Sequence, residues 1–124
     1  MLSMKKLITK VLNSITPTRV SPTTTYGSIS NNASIRIGDI VVLAFRFTAN
    51  TTVPAYAEFI KSLPTIKPNE DNSTQFSIWG RLVNSSAITG LIGISAYGNG
   101  TTLSNWVQIS NGQVVDMIGL YIAK

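Results

Sequence analysis

The chain has 124 residues, 44% of them hydrophobic, which is enough to fill the core of a single domain without metals or disulfides. It contains neither cysteine nor histidine, so disulfide frameworks, thiolate nucleophiles, sulfur-based zinc sites and the side chain that titrates near neutral pH are all excluded. The net charge of +5 is spread over basic residues that, apart from Lys5, Lys6 and Lys10, stand singly, and this argues against a nucleic-acid surface.

In chain order, the first fifteen residues read as an amphipathic helix. Met1, Met4, Ile8, Val11 and Ile15 recur at spacings of three and four, with Lys5, Lys6, Lys10 and Asn13 off that stripe. Ile8 and Ile15 at a positions and Val11 at a d position are β-branched choices compatible with a parallel trimer, although two heptads associate weakly alone. A helix packed on its own domain or on a partner is the plainer alternative. Lysine, threonine and asparagine interrupt the segment, so it lacks the continuous apolar stretch of a secretory signal, and no other stretch is long enough to span a bilayer.

Pro17 and Pro22, within a run rich in threonine and serine, predict an extended neck over 16–25, with the β domain beginning at Tyr26 and running to Lys124. From there β-branched and aromatic runs alternate with turn residues, and strands are expected near 26–30, 34–37, 39–49, 75–84, 87–97, 104–109 and 113–123. A further short strand is expected near 59–63, inside a proline-rich irregular region. Asn99-Gly100 and Asn111-Gly112 mark tight turns, because both residue types tolerate positive φ. Strand number and spacing fit an all-β fold, an antiparallel β-sandwich of jelly-roll type.

Two strands are apolar on both faces. After Asp39, the residues Val41, Leu43, Phe45 and Phe47 form one face and Ile40, Val42 and Ala44 the other, broken by Arg46. Near the end, Ile118, Leu120 and Ile122 alternate with Val115, Met117 and Tyr121. A free antiparallel sandwich keeps one face of each strand polar, so these faces need a cover. Neighbouring subunits in a closed ring would supply it, and a second layer of the same chain is the alternative. The outer, subunit-facing set is expected to be Ile40, Val42, Ala44, Val115, Met117 and Tyr121.

No catalytic constellation emerges. Ser95 in Gly93-Ile94-Ser95-Ala96-Tyr97-Gly98 has no histidine to activate it, and the glycines do not form a phosphate loop. The five acids Asp39, Glu58, Glu70, Asp71 and Asp116 include no pair with a spacing that marks a hydrolase or a calcium loop. No metal or cofactor is expected. Trp106, with Asn105, Asn99 and Tyr97 beside it in sequence, is the best candidate for stacking a sugar ring, against the commoner role of filling a core or an interface.

The element Ile35-Arg36-Ile37-Gly38-Asp39-Ile40-Val41-Val42-Leu43, the ending Ile118-Gly119-Leu120-Tyr121-Ile122-Ala123 and the opening Met4-Lys5-Lys6-Leu7-Ile8-Thr9-Lys10-Val11-Leu12 together resemble the C-terminal β-sandwich domains of phage fibre and minor structural proteins of head-fibre or tail-fibre type. The resemblance implies a homotrimer on a virion, made in the bacterial host cytoplasm and attached to other virion proteins through the N-terminal helix. Some proteins of this kind recognise host-surface glycans, which makes such a glycan a candidate ligand. The stalk is shorter than in such proteins, which favours a compact decoration. A membrane-active β-sandwich toxin, or less readily a glycan hydrolase, is the competing expectation.

Overall fold

The structure, a computed structural model, describes residues 3–7, 16–66, 76–84, 87–97 and 100–124, with the backbone alone for 76–77, 84 and 87–97. The expectations placed on Ile8, Val11, Ile15 and Asn99 lie outside these residues. At the N-terminus a single helical turn covers 4–7, and the Ser3 hydroxyl accepts a hydrogen bond from the Lys6 amide at 3.2 Å, the normal side-chain cap of a helix start.

Among the described residues nine strands follow: β1 Thr18–Arg19, β2 Gly27–Ser30, β3 Ile35–Ile37, β4 Ile40–Ala49, β5 Glu58–Ile60, β6 Phe76–Asn84, β7 Ala87–Tyr97, β8 Thr102–Asn105 and β9 Val114–Ile122. All pair antiparallel, in the order β1-β3-β4-β9-β6-β7-β8-β5, with β2 beside the second half of β4. The fold is therefore all-β, antiparallel and sandwich-like. β3 turns into β4 through Gly38-Asp39, with Ile37 opposite Ile40, and Gly38 takes a φ of 57° that a side chain would resist. Gly112 does the same at 87° in the turn leading into β9.

The alternation of β4 explains the core. Val41, Leu43, Phe45, Phe47 and Ala49 are buried in turn, and their partners on β9 are Tyr121, Gly119, Met117 and Val115 for the first four. Across the interior, the ring of Phe47 meets that of Phe59 on β5 edge-on, with centroids 5.1 Å apart at 73°. β4 and β5 are far apart along the strand order, so this contact means that the sheet curls back to form two facing layers. The curl is tied shut by paired backbone bonds between Thr23 and Lys61, 3.0 and 2.8 Å long.

That closure corrects the expected neck. The 16–25 segment is not a spacer: Thr18 and Arg19 pair with β3, Val20 is a core residue, Pro22 is buried and Thr23 bridges to the residue after β5. Asn32 fastens it further, donating to the Val20 carbonyl at 2.7 Å while its own backbone carbonyl accepts from Arg19 at 2.8 Å. The β domain thus starts at Thr18. Proline and threonine predicted extended backbone correctly, but the apolar Val20 between them supplied the reason to dock.

Tyr121 anchors the end of β9 in the interior. Its hydroxyl donates to the Pro64 carbonyl at 2.7 Å, and burial pushes its ionisation up to about 12, slightly offset by the charge of Arg36. A phenol whose pKa is higher in the folded state than in the unfolded chain holds its proton more tightly when folded. Its contribution to stability is complete below the ordinary value of 10.0 and disappears as pH rises toward 12. Chemical denaturation at pH 8 and pH 11 should show an alkaline loss of stability that Tyr121→Phe largely removes. At neutral pH the same substitution should cost about 1 kcal/mol for the hydrogen bond.

Candidate functional site

In a strand, every second side chain shares a face. Opposite the core residues, β4 therefore presents Ile40, Val42, Ala44 and Arg46, β9 presents Ile122, Leu120, Ile118 and Asp116, and β6 presents Trp79 and Arg81. The register aligns them into rows across the sheet. Ile40 stands opposite Ile122, Val42 opposite Leu120, and Ala44 opposite Ile118, which in turn stands opposite Trp79. The next row is Arg46, Asp116 and Arg81.

The apolar rows are open to solvent. Ile118 is 63% exposed, Leu120 51%, Trp79 49% and Ile40 48%, while Val42 and Ala44 are half-buried. Single exposed apolar side chains are ordinary on any protein, but these lie in register on three adjacent strands in the middle of the sheet. The outer face expected for Ile40, Val42 and Ala44 is where the structure puts it.

For β9 the expected face is reversed. Val115, Met117 and Tyr121 belong to the core, each no more than 2% exposed, and Ile118, Leu120 and Ile122 take the outer position. Both parities of β9 are apolar, so hydrophobicity does not choose between them. Asp116 does, because its carboxylate must reach water or a cation, and a period of two then carries residues 118, 120 and 122 outward with it.

Asp116 is the hub of the charged row. Arg46 holds it with two parallel bonds, Nε to Oδ1 at 2.7 Å and Nη2 to Oδ2 at 3.0 Å, and Arg81 Nη2 lies 3.8 Å from Oδ2. The Arg46 hydrogen bonds hold the Asp116 carboxyl below the usual carboxylate range. Partial burial opposes this, and the charges of the two arginines reinforce it. Asp116 is thus ionised throughout the neutral range.

The sugar-stacking candidates separate. Trp106 is exposed just past the end of β8, as surface binding requires, but Asn105 is completely buried. Its amide nitrogen donates to the Val107 carbonyl, and its Oδ1 has no hydrogen-bond partner among the described residues. Asn105 therefore shapes the turn that carries Trp106 and cannot itself contact a surface ligand. Tyr97 is described by its backbone only, paired with Thr102. Tyr56 joins Trp106 instead: its amide donates to the Asn105 carbonyl at 2.7 Å, its side chain is exposed, and its φ of 66° is an uncommon one for an aromatic residue.

Among the described residues, no group of three or more acidic, histidine or cysteine side chains could hold a metal ion, and no helix is long and apolar enough to cross a membrane. No protein-family model matches the chain, and neither a curated protein nor a solved structure shows significant similarity to it.

Proposed function

We propose that this chain is a non-catalytic assembly domain, a trimeric head or decoration component of a phage particle, whose exposed β4, β9 and β6 face is covered by neighbouring copies. The observation that carries the reading is the in-register apolar set Ile40, Leu120, Ile118 and Trp79 at the centre of the sheet, where a free sandwich would be polar. An apolar centre bounded by the charged Arg46, Asp116 and Arg81 row has the anatomy of a subunit interface, with a dry core and a polar rim. The assignment to a phage rests on the resemblance carried by the β3–β4 element and by the last strand. On this reading the exposed Trp106 and Tyr56 are the surface through which a host glycan would be met.

Size-exclusion chromatography with light scattering tests the assembly. At micromolar concentration the expected mass is three times that of the protomer, and a stable monomer would overturn the proposal.

One observation favours a membrane-active protein as a second reading. Tyr56, Trp106 and Val107 are exposed and brought together by the bond from the Tyr56 amide to the Asn105 carbonyl, and they are the kind of side chains that settle at a lipid interface. Release of dye from liposomes would support that reading, whereas a fibre head leaves vesicles intact.

A further inference from the structure

An open groove of about 410 Å³ lies where the apolar rows meet the charged row. Its walls include Ala44 and Arg46 of β4, Asp116 and Ile118 of β9, Arg81 of β6 and Asn31 just after β2. The charges in this groove do not cancel. Two guanidinium groups face one carboxylate, leaving one positive charge in excess, and their geometry shows which arginine carries it. Arg46 meets both oxygens of Asp116 with hydrogen bonds, whereas Arg81 at 3.8 Å is within ion-pair range but beyond a hydrogen bond. Asp116 therefore holds Arg46 fixed and leaves the donor fork of Arg81 uncommitted to it.

The remainder of the groove is mainly apolar, with the Ala44 methyl and the Ile118 side chain on one side of the arginines. Asn31, with a φ of 51°, places an amide side chain among the lining residues. A planar guanidinium pairs best with a planar carboxylate, through two parallel hydrogen bonds. A phosphate dianion would bring two charges against a single excess cation, with the Asp116 carboxylate repelling the second.

We infer that this groove binds a small organic monoanion in which a carboxylate is joined to a ring with an apolar face, the carboxylate on Arg81 and the ring against Ala44 and Ile118. Such chemistry occurs both in aromatic acids and in acidic sugars. The inference does not depend on the assembly proposal: Ile118 stands in the apolar row next to the charged one, where the proposed contact surface borders the groove.

Amide NMR titration of the full chain with benzoate, benzamide, glucuronate and glucose tests it. The expected result is that at least one of the two acids shifts the Asn31, Arg46, Arg81 and Ile118 signals in a saturable way, while its neutral counterpart does not. Which acid saturates identifies the ring as aromatic or as sugar. Arg81→Gln should weaken binding at least tenfold with signal dispersion intact, and Arg81→Lys should weaken it less. Ala44→Leu, which fills the groove and keeps both arginines, should block it. Equal shifts with acid and neutral compound, no shift with either acid, or undiminished binding by Arg81→Gln would overturn the inference. Light scattering separates the two proposals: Arg81 stands at the rim of the assembly face, where a charge contributes little to association, so Arg81→Gln should leave the mass unchanged, and a fall in mass would mean that neighbouring copies cover the groove and would defeat the groove assignment.

Discussion

Phe47→Ala should destabilise the domain by about 3–5 kcal/mol, the usual cost of removing a fully buried aromatic ring and leaving a cavity. Phe47 is completely buried among the five inward-facing side chains of β4, and its ring meets Phe59 from the opposite layer. For a domain whose total stability is on the order of 5–15 kcal/mol, this is a large fraction, and a fall in the thermal midpoint of roughly 10–25 °C should follow. Urea denaturation of Phe47→Ala, Phe59→Ala and the double variant would separate the contributions. The edge-to-face contact should appear as a coupling of about 0.5–1.5 kcal/mol beyond simple burial. Additive single effects would mean that the two layers do not communicate through these rings.

The second large effect concerns the open face. Ile118→Lys with Leu120→Lys places two ammonium groups where the protomer is already exposed to water, so the isolated fold should keep its circular dichroism and most of its thermal stability. If neighbouring copies cover this face, the same charges would be trapped in an apolar contact and the assembly should fall to a single protomer by light scattering. Val115→Lys is the matching control. It differs by one step in strand parity, but its side chain is completely buried, so it should unfold the domain. A double variant that retains the full assembled mass would remove Ile118 and Leu120 from the interface.

Most of the strand layout was legible in the sequence, because runs of valine, isoleucine and aromatic residues are separated by glycine, proline and asparagine. β4 is the clearest case. Arg46 interrupts one parity of an otherwise apolar strand and thereby marks that face as outer, and Ile40, Val42 and Ala44 follow it. β9 carried an equivalent marker in Asp116, but the apolar residues on both parities obscured it. The expected interface residues Val115, Met117 and Tyr121 turned out to be core. The neck was misread for a related reason: local composition reports backbone conformation, whereas docking depends on a distant partner, here Lys61, which no local pattern reveals. Asn105 shows the same limit at the scale of one side chain. Adjacent to an exposed tryptophan in sequence, it lies wholly inside, because β8 is buried along its entire length. The groove was not legible at all, since Arg46, Arg81 and Asp116 are far apart in sequence and meet only through the β4-β9-β6 register.

That register also dictates when the protein can exist during its own synthesis. β9 lies between β4 and β6 and pairs with both along nearly its whole length. Until β9 has emerged from the ribosome, β4 and β6 are held apart with open hydrogen-bonding edges. The nascent chain cannot acquire its central sheet piece by piece, and it is exposed to sticky, misjoined pairings for most of its translation. A ribosome stall or premature stop anywhere before Val114 would release a polypeptide missing the middle of its sheet, a ready substrate for chaperones and proteases.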